Sequence, residues 1–208
     1  MLIAAGRYKL TILNYMVTSN HVHLLIFDGG PRGAIARAMH LVSGRTAQEY
    51  NIRKRRAGAY WEDRYHATAV DTDIHFLRCM FYVDLNMVRA GAVACPEEWP
   101  YCGFQEIIGA RQRYRMINRR KLCQLLGVTM AELGSSYGRW ISDYIKEPRL
   151  ERESRWTESL AVGRMEFVES IKKRLGLCAK YRKIAGADGS FELLEQKRSC
   201  NTNTRLRA

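Results

Sequence analysis

The segment Tyr15–Phe27, YMVTSNHVHLLIF, constrains the fold more than any other stretch of this chain. Apolar and β-branched residues run up to the polar triplet Thr18-Ser19-Asn20 and resume after it. That pattern predicts two strands, Arg7–Val17 and His21–Phe27, joined by a tight hairpin. On a strand, side chains at i and i+2 share a face. His21 and His23 are therefore expected on one face, with Val22, Leu24 and Ile26 directed into a core. Imidazoles so placed can chelate one divalent metal and leave room for a third ligand, water or substrate. Two unrelated histidines on a half-buried strand would give the same pattern.

Asp28-Gly29-Gly30-Pro31 ends the second strand. Ile35, Met39, Val42 and Ala47 then recur at helical spacing and predict an amphipathic helix from Gly33 to Arg53, with His40 as a surface or packing residue. Arg53-Lys54-Arg55-Arg56 closes that helix. Four cations there suit the negative end of the helix dipole as well as they suit a phosphate. Tyr60–Asp71 has the aromatic and β-branched content of a strand, on which Trp61, Arg64 and Tyr65 could stack against bases and hold phosphates. His66 fits either a structural role or a DNA contact.

A second strong element follows. Asp71-Thr72-Asp73 is a helix-capping cluster and Gly91 a stop signal. Between them Ile74, Leu77, Phe81, Leu85 and Val88 step by three or four and predict a buried stripe. His75, Arg78, Tyr82, Asn86 and Arg89 form a second stripe in the same register. Tyr82 and Asn86, at i and i+4, fall one turn apart on one face. A deprotonated phenol is a nucleophile and an amide oxygen is a neutral ligand for a hard cation. A tyrosine in such a position can equally be a packing residue.

Composition narrows the partner. The 208 residues carry a formal charge of +13, with a pI of about 9.7. The basic residues are spread among aromatics and arginine outnumbers lysine, which favours nucleic acid over a membrane surface. Six cysteines with no C-x-x-C pair argue against a structural zinc site. The N-terminus does not read as a secretory signal and no apolar run is long enough to cross a bilayer, so a cytoplasmic protein is expected.

The motifs NHVHLLI and YVDLNMVRAGAV, separated by a helix and a WEDRYHA segment, resemble the IS200-type single-tyrosine (Y1) transposase domain of the HUH endonuclease superfamily. More narrowly they resemble the REP-associated tyrosine transposases. The resemblance covers about Tyr8 to Gly109. It implies that His21 and His23 bind a metal, Mg²⁺ or Mn²⁺, that Asn86 is the third ligand and that Tyr82 is the nucleophile. It also implies cleavage and rejoining of single-stranded DNA through a 5′-phosphotyrosine bond, with recognition of a hairpin-forming end and a short guide sequence. Arg78 and Arg89, on the nucleophile's face, are expected phosphate contacts, although a solvated cationic face would look the same. Where relatives often have Asn-Pro, this chain has Asn86-Met87. Relatives also carry a strand and a helix before the first strand seen here, so about forty residues are expected to be missing, through an upstream start or decay.

After this region, Trp99 and Tyr101 are expected to pack back on the core. Arg111, Arg113, Arg115, Arg119, Arg120 and Lys121, interleaved with Tyr114, form the densest basic segment and read as a DNA-backbone contact or a solvated surface. Helices are predicted over Arg119–Leu126 and Met130–Lys146, joined around Gly127, with Thr129 and Glu132 as a capping box. A helix-turn-helix is one arrangement such a pair could take. Residues 147–158 read as a charged linker, Phe167–Leu177 as an amphipathic helix, and Ala185–Ser190 as a turn-rich segment before a basic tail.

The expected architecture is α+β: an antiparallel sheet flanked by helices over 1–109, then a basic, mostly helical extension over 110–208. The expected activity is that of a transposase acting on hairpin-forming single-stranded DNA, as a monomer or homodimer with no membrane partner. A catalytically silent hairpin-binding protein and a metal-dependent phosphoester hydrolase are the competing readings.

Overall fold

The computed structural model describes residues 1–146 and 153–194. The expected basic tail beyond Leu194, Cys200 within it, and positions 147–152 of the expected linker lie outside the described residues. In chain order the elements are α1 (Leu2–Tyr8), β1 (Thr11–Val17), β2 (Val22–Phe27), α2 (Ala34–Lys54), β3 (Ala69–Val70), α3 (Ile74–Asp84) and α4 (Asn86–Arg89). They continue with α5 (Phe104–Ile107), α6 (Arg119–Leu126), α7 (Leu133–Ile145), α8 (Arg155–Glu158), β4 (Ser159–Gly163), α9 (Met165–Leu175), β5 (Ile184–Ala187) and β6 (Ser190–Leu194). Two compact units result, residues 1–66 with 72–153, and residues 67–71 with the chain from 154 onward. The boundary expected at 109 thus falls inside the first unit.

In the first unit β1 and β2 form the expected antiparallel hairpin, with Met16 opposite His23 and Val17 opposite Val22. The strand is shorter than the Arg7–Val17 expected. Leu2–Tyr8 is helical instead, and Lys9 ends the helix in the left-handed conformation. Helix α1 packs on α2, and the buried residues of the pair are the small Ala4, Ala34 and Ala38, which let the two backbones approach closely. The far edge of β1 is also bonded. Val17 N donates to Tyr101 O at 2.9 Å, Gly103 N to Tyr15 O at 2.8 Å and Asn118 N to Ile12 O at 2.8 Å. Gly103 is required there, because a Cβ at that position would lie 2.3 Å from Asn14 Oδ1.

The strand expected over Tyr60–Asp71 does not form in this unit. Trp61 Nε1 donates to Ser43 O at 3.0 Å and the Tyr60 ring packs against Tyr50, 4.6 Å between centroids. These contacts tie the segment to α2 rather than to the hairpin. Only Ala69–Val70 is extended, as a strand of the second unit.

Helix α3 packs across β1 and is buried nearly all round from Cys79 to Leu85, while Ile74, expected in the core, is 51% exposed. The single buried stripe was the wrong picture because α3 is covered on two sides. Asn14 of β1 donates to Met80 O at 3.5 Å. From the other side, Tyr137 of α7 packs on Phe81 and donates its hydroxyl to Asp84 Oδ2 at 2.5 Å. The helix pair after the basic segment matches the expectation closely. Asn118 caps α6, Gly127 closes it at φ 67°, and Thr129 and Glu132 exchange bonds of 3.1 and 3.3 Å before α7. A face of α7 carrying Tyr137 and Ile141 is buried in the core of the unit.

The second unit has a four-stranded sheet in the order β3-β4-β6-β5 with α9 packed on it. Ala161, Val168, Ala179 and Leu193 form its core. Asp71 at the end of β3 pairs with Arg164, Oδ2 to Nε 2.8 Å. The α+β class holds, but this C-terminal part is richer in strand than expected. The turn-rich Ala185–Ser190 is a hairpin, with Asp188 and Gly189 both at positive φ.

Candidate active site

The hairpin turn fixes the first histidine. Thr18 N donates to His21 O at 2.9 Å and His21 N donates to Thr18 Oγ1 at 2.9 Å, so the polar triplet closes on itself as its composition predicts. His21 lies just before β2 and is exposed; His23 lies within the strand and is half-buried. Their rings are nearly parallel, 10° apart in plane and 6.4 Å between centroids, so both stand on one face as their spacing requires. The inward alternation of Val22, Leu24 and Ile26 is less clean. Val22 is 42% exposed and His23 to Phe27 are all half-buried, since a two-stranded ribbon twists strongly and shields neither face fully.

Helix α3 delivers the second part. Asp73 caps it, accepting from His75 N at 3.0 Å and meeting His75 Nδ1 at 3.0 Å, which commits both side chains to the helix start. The expected single helix to Gly91 is interrupted at Leu85 (φ −86°, ψ 6°), so Tyr82 lies in the last turn of α3 and Asn86 opens α4. Both nevertheless meet the same histidine. Asn86 Nδ2 lies 3.3 Å from His23 Nε2, and the Tyr82 and His23 rings stand perpendicular, 6.0 Å between centroids. His23 is the hub on which strand β2, α3 and α4 converge.

Tyr82 is 5% exposed. The Arg89 guanidinium lies over its ring at 4.3 Å and Arg89 Nη2 donates to its carbonyl at 2.5 Å. Burial lowers the Arg89 pKa, and the facing Tyr82 opposes that shift. Two residues beyond Tyr82, burial pushes the Asp84 carboxyl up to about 7 against the bond from Tyr137. Its Oδ1 finds no hydrogen-bond partner among the described residues. This buried carboxyl did not stand out as a functional residue in the sequence, though a lone acid inside Phe81-Tyr82-Val83-Asp84-Leu85 is the signal that could have marked it.

Two imidazoles on one face and an amide touching one of them are a donor set that fits a divalent cation. The fit requires the Asn86 amide to turn its Oδ1, rather than the Nδ2 now beside His23, toward the ion.

The arginines expected on DNA divide into two groups. Arg64, Arg78, Arg113 and Arg115 are exposed. Arg89 is turned onto Tyr82, and Arg111 is turned onto the fold, donating to Tyr15 Oη at 2.6 Å and to Pro100 O. Glu106 organises the loop that carries Arg111 to Arg115. It is 1% exposed, accepts from Tyr15 Oη at 2.6 Å and from the backbone N–H groups of Met116 and Ile117 at 2.7 and 2.9 Å. The loop therefore presents Arg113, Tyr114 (82% exposed) and Arg115 from a base pinned at both ends. Tryptophan 99 anchors its own segment as expected, donating from Nε1 to Val17 O at 2.9 Å, but Tyr101 is 62% exposed.

Among the described residues no helix is long and apolar enough to cross a membrane. Comparison with curated proteins and with solved structures returned no match. A family model described as "Transposase IS200 like" matches residues 2–85, from α1 through Tyr82 to the break before Asn86. The matched span holds the hairpin, both histidines and the tyrosine that His23 meets, and over that span the chain is similar to the IS200-like transposases.

Proposed function

We propose that this protein cleaves and rejoins single-stranded DNA through Tyr82. The observation that carries the reading is the convergence on His23: from a hairpin that also presents His21, it meets a tyrosine and an amide some sixty residues away, His23 and Asn86 being 63 apart in sequence. The phenol oxygen of Tyr82, having given up its proton, attacks the scissile phosphorus; the P–O3′ bond breaks and the leaving 3′-oxygen takes a proton. The product is a 5′-phosphotyrosine bond and a free 3′-hydroxyl. Rejoining is the reverse, so no nucleotide cofactor is consumed. A divalent cation, Mg²⁺ or Mn²⁺, bound by His21, His23 and Asn86 would neutralise charge developing on the phosphate. His23 braces the Tyr82 ring, and exposed Arg64, Arg78, Arg113 and Arg115 hold the DNA backbone. The substrate is a hairpin-forming DNA end, as in REP-associated relatives, bound in the cytoplasm by a monomer or homodimer.

One observation favours a second reading, a hairpin-binding protein without chemistry. Tyr82 is 5% exposed, so most of the residue that would have to meet a phosphate is covered by the fold. A covalent-trapping experiment separates the two. Protein, labelled single-stranded hairpins and Mn²⁺ are combined and run on a denaturing gel beside Tyr82→Phe and His23→Ala. A metal-dependent adduct lost in both variants is the expected result. Hairpin binding with no adduct in the parent protein would leave the binding-only reading in place.

A further inference from the structure

We infer that Arg89 is a positioning residue that locks the proposed nucleophile to the proposed metal ligand, rather than a DNA-phosphate contact; the inference rests on the assignment of Tyr82 as nucleophile. The argument begins with the break at Leu85. An uninterrupted helix would hold Tyr82 and Asn86 rigidly, one turn apart. Here α3 ends at Asp84 and α4 is a single turn of four residues, Asn86–Arg89, so the two functional groups sit on separate helical pieces joined by one residue. A four-residue helix has little stability of its own.

Arg89 ends that short piece and reaches back across the break. It lies seven residues beyond Tyr82 and comes back to it from the far side of the break. Its Nη2 donates to the Tyr82 carbonyl in the last turn of α3, where carbonyls depend on partners outside the regular ladder. The same guanidinium lies over the Tyr82 ring, 4.3 Å from its centroid. One planar group thus fixes the nucleophile's backbone and the plane of its ring at once. A lysine cannot do both, since its ammonium is a point donor without a stacking face. The His23 and Tyr82 rings meet at right angles and the Asn86 amide meets His23 Nε2. Arg89 therefore closes a loop of contacts from α4 to α3 to β2 and back to α4.

The reading separates cleanly from a phosphate contact. Arg89→Gln and Arg89→Lys would be compared with the parent for hairpin-DNA affinity, its salt dependence, and the single-turnover rate of adduct formation at saturating DNA. The expected result is affinity within about twofold and an unchanged salt slope, with the adduct rate reduced about 100-fold, the scale of a misplaced reacting group. Lysine, although it keeps the charge, is not expected to restore the rate. Circular dichroism melting and the ring signals of ¹³C-labelled tyrosine report whether each variant is folded and whether Tyr82 has lost its fixed orientation. A weakened affinity with the salt slope reduced by about 0.7, and a normal rate at saturation, would overturn the inference in favour of a phosphate contact. Unchanged rates in both folded variants, with Tyr82 ring signals unaltered, would overturn it too. Absence of any adduct in the parent protein would instead remove the assignment of Tyr82, and this inference with it.

Discussion

The thiol of Cys102 is wholly buried and donates to Trp99 O at 3.1 Å and Pro96 O at 3.6 Å, beside the bridge that joins Cys102 to Met16 of β1. Burial first, and the negative Asp84 second, push its pKa from 9.0 up to about 11. The native state therefore keeps the proton over a range where the unfolded chain releases it. The stability this contributes is complete below about pH 9 and is lost as pH rises through about 11, amounting to about 3 kcal/mol at 1.4 kcal/mol per pH unit. Urea unfolding at pH 8, 9.5 and 10.5 should show the parent losing stability against Cys102→Ala over that window. A constant difference between the two would contradict the assignment. At the same scale, the i, i+2 spacing of His21 and His23 anticipated that their rings stand on one side, although His21 lies just before β2. Local reasoning did not reach the contacts that Arg89 and Arg111 make within the fold. A guanidinium in a basic sequence looks like a phosphate ligand until the ring or carbonyl it covers is known.

The loop after α5 depends on one carboxylate. Glu106 serves Tyr15 Oη and two backbone donors while 1% exposed, so no water can replace it easily. Glu106→Ala strands three donors and is expected to cost about 3–5 kcal/mol. Glu106→Gln, which keeps one acceptor oxygen, should cost about half that. Thermal and urea unfolding of both variants test the order, and equal losses would mean that packing rather than the bonds holds the loop. Elements bounded by explicit local signals were legible in the sequence. The Thr129–Glu132 box, the Gly127 stop and the Asp73 cap all appear where their chemistry predicts. The hairpin of β5 and β6 carries an equally explicit signal, Asp188-Gly189 between alternating apolar residues, which fits a turn needing two positive φ angles. Tyr60–Asp71 was misread because its aromatics have strand propensity but find their partners, Tyr50 and Ser43, on helix α2.

A net charge of +13 makes salt the main control on DNA affinity for the whole molecule. Arg113 and Arg115 project from the pinned loop and are expected to neutralise one phosphate each. The double variant Arg113→Ser/Arg115→Ser should lower the slope of log K against log salt by about 1.4 on single-stranded DNA. Hairpin-binding titrations between 50 and 300 mM salt, a range chosen as about the span where counterion release dominates, measure it. An unchanged slope would make this loop a solvated surface. The rate of adduct formation at saturating DNA should be unaffected, in contrast to the Arg89 variants.

The sequence alone determined the hairpin, the shared face of its histidines, the helix that carries Tyr82 and the α+β class. Each follows from local periodicity or from residues a few positions apart. Only the tertiary structure decided that His23 is the meeting point of Tyr82 and Asn86, that α3 is buried on two sides, that the helix breaks at Leu85, and that Arg89 spans the break. These depend on which surfaces pack together across many residues of chain. That choice is made by the burial of Met80, Phe81 and Tyr137 in one core, and no local pattern encodes it.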